Sequence, residues 1–163
     1  MNLSILFASA EVVPFSKTGG LADVAGALPK EIGKTNDVTV ITPLYKGIDL
    51  SVYNPKEIGR RQIHMGSIST TAVFEEISLN NIKYVFVSNG YYERDNFYGY
   101  QDDNVRSMLF NFAILEYLVL TDKKVDIIHV NDWQAALVPY LLDTTYRHLP
   151  KLRDIKTLLS IHN

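Results

Sequence analysis

Residues 3–33 read LSILFASAEVVPFSKTGGLADVAGALPKEIG and predict the opening of an α/β fold. Leu3–Ser9 is a mainly apolar run, as expected for a strand that helices cover on both faces. A loop with paired glycines follows, and apolar residues then recur at helical spacing from Leu21 to Ile32. Gly33 fits the carboxyl-terminal cap of that helix. A strand, a glycine-containing loop and an amphipathic helix in this order predict the first unit of a parallel sheet.

The rest of the chain continues the alternation of strands and helices around a strand-rich middle. The further predicted strands are Asp37–Thr42, Arg61–Met65, Thr71–Leu79, Ile82–Ser88, Asp126–Val130 and Ile155–Ile161. Asn80-Asn81 suits a tight hairpin turn, because Asn tolerates positive φ. The further predicted helices are Asn104–Leu120 and a helix after Asp132 that turns inward Trp133, Ala136, Leu137, Tyr140 and Leu141. The fold class is therefore α/β, a mostly parallel sheet with helices on both faces and a local antiparallel insert.

The composition favours a single folded domain and excludes several kinds of site. The chain has 163 residues, of which 47% are hydrophobic, and this suits one domain with a substantial core over residues 1–163. A net charge of −2 offers no basic surface for nucleic acid, and no apolar stretch is long enough to cross a membrane. Cysteine is absent, which excludes disulfides and a thiol nucleophile and is compatible with a cytoplasmic protein.

Three polar segments follow predicted parallel strands on the carboxyl side, which is the edge where such sheets bind ligands. They are Lys17–Gly20, Asn131-Asp132 and His162-Asn163. Although they lie far apart in the sequence, this fold brings them to one edge of the sheet. The sequence therefore predicts a ligand site at that edge.

The Lys17–Gly20 loop has the chemistry of an anion site. Gly19 and Gly20 let a ligand approach the backbone closely, the helix start offers N–H groups and the positive end of its dipole, and Lys17 adds a charge. An ordinary turn between a strand and a helix, with a solvated lysine, explains the pattern equally well. The loop is neither GxGxxG nor GxxxxGK[ST], so dinucleotide and Walker-type sites lose support.

Asp132, His162 and Tyr98 are the other candidate residues, and each has a purely structural alternative. The Asp132 carboxylate could accept hydrogen bonds from sugar hydroxyls, but the better local explanation is that it caps the helix that follows. His162 hydrogen-bonds a hydroxyl or ends a strand at a turn. Tyr98 and its neighbours in the loop of residues 89–103 stack on a sugar or a base, or anchor the loop to the core. No histidine pair has metal-ligand spacing and no Asp-x-Asp motif occurs, so no metal site is predicted.

Four blocks along the chain resemble one enzyme family. Lys17–Val24, followed by Gly26–Pro29, resembles the signature opening of bacterial glycogen synthases and plant starch synthases. Arg94–Gly99 is similar to the R-x-x-L-Y-G segment of that family, His129–Leu137 to its H-x-N-D-W-Q-T-A-L block, and Ser160–Asn163 to its T-I-H-N block. Four blocks in the same order over the whole chain make the resemblance specific.

The resemblance implies the amino-terminal, Rossmann-like half of a two-domain GT-B glycosyltransferase. Such an enzyme transfers glucose from ADP-glucose, or in some members UDP-glucose, to the non-reducing end of an α-1,4-glucan with retention, and it needs no metal or other cofactor. The implied catalytic residues are Asp132 and His162, which line the glucose site. The implied substrate-binding residues are Lys17, near the diphosphate, with Thr18, Gly19, Gly20 and Tyr98.

The chain departs from the family pattern in places. Asp103 stands where the family's D-N-x-x-R-F segment has Asn, and Ser107 where it has Phe, so no contact is assigned to Asp102, Asp103 or Arg106. The chain also ends within the T-I-H-N block, so we expect that the rest of the first domain and the whole second, nucleotide-binding domain are missing from it. We expect a chain of this extent to be inactive alone.

Two other functions remain open. A non-catalytic glucan- or nucleotide-sugar-binding module, acting in assembly, would keep the domain and lose the chemistry. An NAD-dependent dehydrogenase fits poorly, because GxGxxG is missing and no acidic residue follows the second strand at Thr42-Pro43 to hold a ribose.

Overall fold

The computed structural model describes residues 2–162, so Asn163 of the predicted site lies outside the described residues. The strands, in chain order, are β1 (Ser4–Ala8), β2 (Asp37–Pro43), β3 (Lys56–Met65), β4 (Ile68–Leu79), β5 (Ile82–Ser88), β6 (Ile127–Asn131) and β7 (Lys156–Ser160). The helices are α1 (Gly20–Ile32), α2 (Asp103–Leu120) and the single turn α3 (Val138–Leu141). Each predicted strand and the first two predicted helices are present, with bounds that differ by a few residues, whereas the segment after Asp132 is only partly α-helical.

All seven strands form one sheet in the order β3-β4-β5-β2-β1-β6-β7. Each neighbouring pair in the series β5-β2-β1-β6-β7 is parallel. Strands β3, β4 and β5 form an antiparallel meander. Asn80 and Asn81 connect β4 to β5 with φ angles of 52° and 63°, as a tight hairpin turn requires. The mostly parallel sheet and its local antiparallel insert are therefore confirmed.

Strand β1 lies between two apolar clusters, because successive side chains of a strand point to opposite faces. Leu6 and Ala8 pack in the cluster that contains α2, and Ile5 and Phe7 pack in the cluster that contains the apolar side of α1. Helices thus cover both faces of the sheet, which confirms the predicted architecture and leaves the carboxyl ends of the central strands open for a site.

The prediction for the segment after Asp132 is wrong in two respects. Trp133, Leu137 and Tyr140 were expected to face inward but are 57%, 45% and 65% exposed. Leu141 is buried as predicted, and the other buried residues of the segment are Gln134, Ala135, Val138, Leu142 and Tyr146. The Asp132 side chain also makes no cap hydrogen bond to the segment that follows it.

The cause of this error is that the segment is not a regular α-helix. It begins as a 3-10 turn at Trp133–Ala135, continues through α3 and ends as a π turn at Leu142–Tyr146. A 3-10 turn has about 3.0 residues per turn against about 3.6 in an α-helix, so the buried side shifts along the sequence. A single helical period therefore selects the wrong residues.

Strand β7 lies at one edge of the sheet and is open on both faces. Leu158 and Leu159 point to opposite faces and are 52% and 41% exposed, and Ile161 just after the strand is 80% exposed. A parallel strand with apolar residues on both faces normally has helices packed against it. The apolar surface around β7 therefore remains uncovered within the described residues.

Candidate functional site

The three predicted polar segments lie at one edge of the sheet, here called the rim. Strands β1, β6 and β7 are neighbours and run in parallel, so their carboxyl ends lie side by side. Residues 9–19, here called the lysine loop because they include Lys17, connect the end of β1 to the start of α1. Asp132 follows β6, and His162 follows β7. Pairing of strands that are distant in sequence thus assembles the rim.

Asp132 and His162 are in direct contact. The Asp132 carboxylate accepts a hydrogen bond from the backbone N–H of His162, with 2.6 Å between Oδ1 and N. The Asn131 side-chain oxygen lies 2.9 Å from His162 Nε2. The backbone N–H of Asp132 donates in turn to the Ser160 carbonyl, with 2.9 Å between the atoms. These bonds fix both the backbone and the imidazole ring of His162.

The backbone of Asp132 is strained. Its φ and ψ angles are 60° and −177°, a combination that costs a non-glycine residue about 1–3 kcal/mol. The aspartate is held there by its hydrogen bonds to Ser160 and His162. Capping a helix does not explain this conformation, because the carboxylate bonds to His162 and not to the segment that follows Asp132.

We expect Asp132→Gly to be more stable than Asp132→Ala by about 1–2 kcal/mol, because only glycine relieves the strain. Both variants lose the same hydrogen bond to His162, so its energy cancels in the comparison. Urea unfolding of the two variants measures the difference. Asp143, in the π turn, provides the matched control: glycine should there be less stable than alanine by about 1 kcal/mol. Equal stability of the two Asp132 variants would contradict the strain.

In the lysine loop, part of the predicted anion site is already occupied by the chain itself. The loop was expected to offer its N–H groups to a ligand, but the N–H groups of Thr18 and Gly19 donate to the carboxylate of Glu11. The N–H groups of Gly20 and Leu21, at the start of α1, have no acceptor within residues 2–162. The N–H groups of Ala22 and Asp23 likewise have no acceptor there, so the first turn of α1 keeps amides that could bond an anion.

Lys17 forms an exposed ion pair with Asp23 in the first turn of α1. The ammonium nitrogen lies 2.7 and 2.8 Å from the two carboxylate oxygens. Both side chains are more than half exposed, and such pairs contribute about 0–1 kcal/mol. The pair therefore holds Lys17 at the rim without preventing it from contacting a ligand.

Gly19 and Gly20 are not required by the fold around them. A Cβ atom added at either residue would meet nothing within 4 Å, and neither residue has a positive φ. Gly26 differs, because a Cβ there would lie 3.0 Å from the Cβ of Val13. The space beside Gly19 and Gly20 is open enough for close approach of a ligand to the backbone, as it also is beside other glycines such as Gly47 and Gly66.

Arg106 organises the aromatic loop that carries Tyr98. The arginine is 4% exposed and donates to the carbonyls of Tyr91 and Phe97, at 2.9 and 2.8 Å, and to Asp103 Oδ1 at 2.7 Å. Asp103 in turn accepts a hydrogen bond from the N–H of Gly99 at 2.6 Å. Sequence analysis assigned no contact to Asp103 or Arg106. An arginine within a mostly apolar helix is the signal that could have identified this structural role.

Tyr98 is half-buried beside the segment that carries Asp132. Its ring centroid lies 6.1 Å from that of Trp133, and its hydroxyl is buried without a hydrogen-bond partner within residues 2–162. Burial first, and then the neighbouring Tyr45 and Glu11, raise the pKa of Tyr98 well above its ordinary value. The hydroxyl is therefore protonated at neutral pH, and its burial keeps it away from the surface of the rim.

The described residues contain neither a metal-ligating cluster nor a membrane-crossing helix. No three His, Asp or Glu side chains among residues 2–162 are arranged to hold a metal ion. Over the same residues, no helix combines the length and the apolar character needed to cross a bilayer.

Comparison with known proteins identifies the class and then the family. The starch synthase IV catalytic domain of Arabidopsis thaliana, solved with ADP and acarbose, superposes with a TM-score of 0.92 at 28% identity, over all of this chain and 34% of that one. A sucrose-phosphate synthase from Thermosynechococcus elongatus shares the fold, with a TM-score of 0.57 at 14% identity over 99% of this chain and 33% of that one. The fold is thus that of GT-B glycosyltransferases. The chain belongs to the starch synthase catalytic domain family, whose model matches residues 4–163.

The most similar relatives include bacterial proteins named glycogen synthase. Those from Acholeplasma laidlawii and Caldicellulosiruptor saccharolyticus are 44% and 41% identical over 99% of this chain. The matched region is 34% of each relative, so the chain spans about a third of their length. The predicted family is confirmed.

Proposed function

We propose that this chain is the first part of a cytoplasmic glycogen synthase, which transfers glucose from ADP-glucose to the non-reducing end of an α-1,4-glucan with retention. Its membership of the family and the names of its relatives support the reaction. The ADP and acarbose bound by starch synthase IV support a nucleotide-sugar donor and a glucan acceptor. UDP-glucose is the alternative donor.

One observation carries the assignment of the site: the unfilled space beside Gly19 and Gly20 at the rim that also holds Asp132 and His162. We assign this space to the diphosphate of the sugar nucleotide. The free N–H groups of Gly20 and Leu21 adjoin it, and the positive end of the α1 dipole contributes about 0.3–1 kcal/mol toward an anion. The backbone alone therefore gives a modest attraction.

Lys17 supplies the larger electrostatic contribution. A lysine charge about 4 Å from one phosphate charge gains about 4 kcal/mol at an effective dielectric of 20, before desolvation. This exceeds the roughly 0–1 kcal/mol of the exposed pair with Asp23, so Lys17 exchanges one partner for the other. As the bond to glucose breaks, negative charge grows on the departing diphosphate, and Lys17 stabilises it most at that moment.

Asp132, His162 and Tyr98 are assigned to the glucose. The imidazole of His162 is held by Asn131 and its backbone by Asp132, so the ring is oriented before substrate arrives. The Asp132 carboxylate can accept further hydrogen bonds from sugar hydroxyls, and Tyr98 contributes its half-buried ring beside Trp133 rather than its buried hydroxyl. Positive charge that develops on the anomeric carbon is favoured near the Asp132 carboxylate.

The chain is proposed to require the rest of the enzyme for turnover. It spans about a third of its relatives, and the apolar residues around β7 are exposed on both faces. We propose that residues 1–163 are an incomplete first domain, and that further chain covers β7 and supplies a second domain that binds the nucleotide. Without those contacts to the transition state, the barrier is not lowered.

We expect the chain alone to elongate no glucan from ADP-glucose, because half of the donor site is absent. A chimera, in which this chain replaces the matching first third of the Acholeplasma laidlawii relative, should restore incorporation of labelled glucose into glycogen. Comparing the activity of the chimera with UDP-glucose and with ADP-glucose identifies the preferred donor. Elongation by the isolated chain, or a cooperatively folded chimera without activity, would contradict the proposal.

The alternative, a non-catalytic binding module, predicts a different outcome. Calorimetry with maltooligosaccharide and ADP-glucose would then show saturable glucan binding by the chain, while the folded chimera would bind glucan and form no product. Turnover by the chimera excludes this alternative.

A further inference from the structure

Glu11 is a buried carboxylate that the proposed function leaves without a role. Its residue is 3% exposed, in the loop between β1 and α1. Thr18 donates to it twice, from its backbone N–H and from its hydroxyl, the latter with 2.6 Å between Oγ1 and Oε1. The N–H of Gly19 adds a longer bond of 3.4 Å to Oε2. All three donors belong to the lysine loop.

No cation compensates this carboxylate within residues 2–162. The ion pairs of the described chain do not include Glu11, and Lys17, the lysine of the same loop, pairs with Asp23 instead. Burying a carboxyl group among neutral donors costs free energy, because burial removes its polar atoms from water. In return, its hydrogen bonds fix the backbone of the loop at Thr18 and Gly19.

The effect of these bonds is to sort the amides of the loop and of the start of α1 into two sets. The N–H groups of Thr18 and Gly19 turn inward to Glu11, whereas those of Gly20 and Leu21 remain without an acceptor in the described chain. Lys17 lies immediately before the anchored residues, so its backbone position depends on the same carboxylate. Glu11 also lies next to Tyr98, whose pKa it helps to raise, and thus sits between the two loops of the rim.

We propose that Glu11 is a positioning residue, which fixes the lysine loop so that Lys17 and the N–H groups of Gly20 and Leu21 face the diphosphate. It touches no reacting atom and acts through Thr18 and Gly19. The inference rests on the proposed function and deepens it, because it names the group that decides which amides the donor meets.

The structural half of this proposal can be tested on the 163-residue chain itself. We expect Glu11→Gln to accelerate hydrogen exchange of the Thr18 and Gly19 amides about tenfold or more, since its amide group replaces an acceptor with a donor. Glu31→Gln, at an exposed glutamate near the end of α1, is the matched control and should leave these rates within about threefold. Unchanged exchange in Glu11→Gln would overturn the proposal.

The functional half is tested in the active chimera by a double-mutant cycle. Glu11→Gln should lower kcat about tenfold or more, with the glucan KM within about threefold, because the lost interactions face the donor. In a chain that already carries Lys17→Ala, the added Glu11→Gln should cost no more than about threefold, since positioning is lost only once. Independent, multiplicative losses would show a general structural effect and overturn the proposal.

Thr18 provides a second pair of variants, should Glu11→Gln unfold the chain. Thr18→Val removes only the hydroxyl bond to Glu11 and should lower kcat, whereas Thr18→Ser keeps the hydroxyl and should restore it. If Lys17→Ala leaves turnover unchanged, the proposed role of Lys17 fails while the amide exchange still decides the anchoring by Glu11. If Lys17→Ala lowers kcat strongly and the Glu11 and Thr18 variants do not, only the proposed role of Glu11 is contradicted.

Discussion

Replacing Arg106 with Met lowers the free energy of unfolding of the chain by about 3 kcal/mol. Met approximates the volume of the arginine stem but cannot donate to the carbonyls of Tyr91 and Phe97 or to Asp103. Arg106 is 4% exposed, so water does not readily replace those donors. Urea unfolding followed by far-UV circular dichroism measures the loss, and the loop of residues 89–103 should exchange its amides fastest.

Arg94→Met is the matched control, because Arg94 lies in the same loop and pairs with Asp102 at 2.9 Å while its side chain is 39% exposed. Exposed pairs of this kind contribute little, so the loss should stay below about 1 kcal/mol. Arg106→Lys should remain clearly destabilised, since one ammonium cannot reproduce the planar set of donors. Equal losses for Arg94→Met and Arg106→Met would show that burial of the guanidinium is not the cause.

Replacing Lys17 with Ala should lower kcat of the chimera by about 100- to 1,000-fold, the usual effect of removing one donor that stabilises a developing oxyanion. The fold should be unaffected, because Lys17 makes only an exposed ion pair with Asp23. Steady-state assays with varied ADP-glucose separate the loss in kcat from any change in KM, and a thermal unfolding curve verifies the fold.

Lys30→Ala, near the carboxyl end of α1, serves as the control for a general loss of positive charge. Lys30 is exposed and lies at the opposite end of the helix from the rim, so kcat should change less than about twofold. An unchanged kcat in Lys17→Ala would remove Lys17 from the diphosphate site. The assignment of Asp132 and His162 to glucose would then need independent support.

Much of the fold could be predicted because its signals are local. The apolar run of β1, the paired asparagines at the hairpin and the helical spacing in α1 each report on a few neighbouring residues. The rim could also be predicted, since the carboxyl ends of adjacent parallel strands must meet at one edge. That rule places Asp132 and His162 at the same edge, but it does not predict the hydrogen bond from the His162 N–H to the Asp132 carboxylate.

Other features could not be predicted because they depend on packing between distant segments. The role of Glu11 needs the chain to turn back so that Thr18 meets a carboxylate seven residues earlier, and no spacing rule describes this. The positive φ of Asp132 depends on bonds to residues after β7. The exposed side of the segment after Asp132 depends on a 3-10 turn, which apolar spacing does not distinguish from an α-helix.

Because the space beside Gly19 and Gly20 is open, folding and the proposed ligand binding place different requirements on these two residues. An added methyl group at either position would meet no atom of the chain, so the folded state has no means of rejecting it. We expect an alanine there to leave expression, solubility and melting temperature unchanged, and, on the proposed assignment of this space, to obstruct the approach of the diphosphate. Harmful inherited changes at these two positions would therefore be invisible to methods that judge variants by stability.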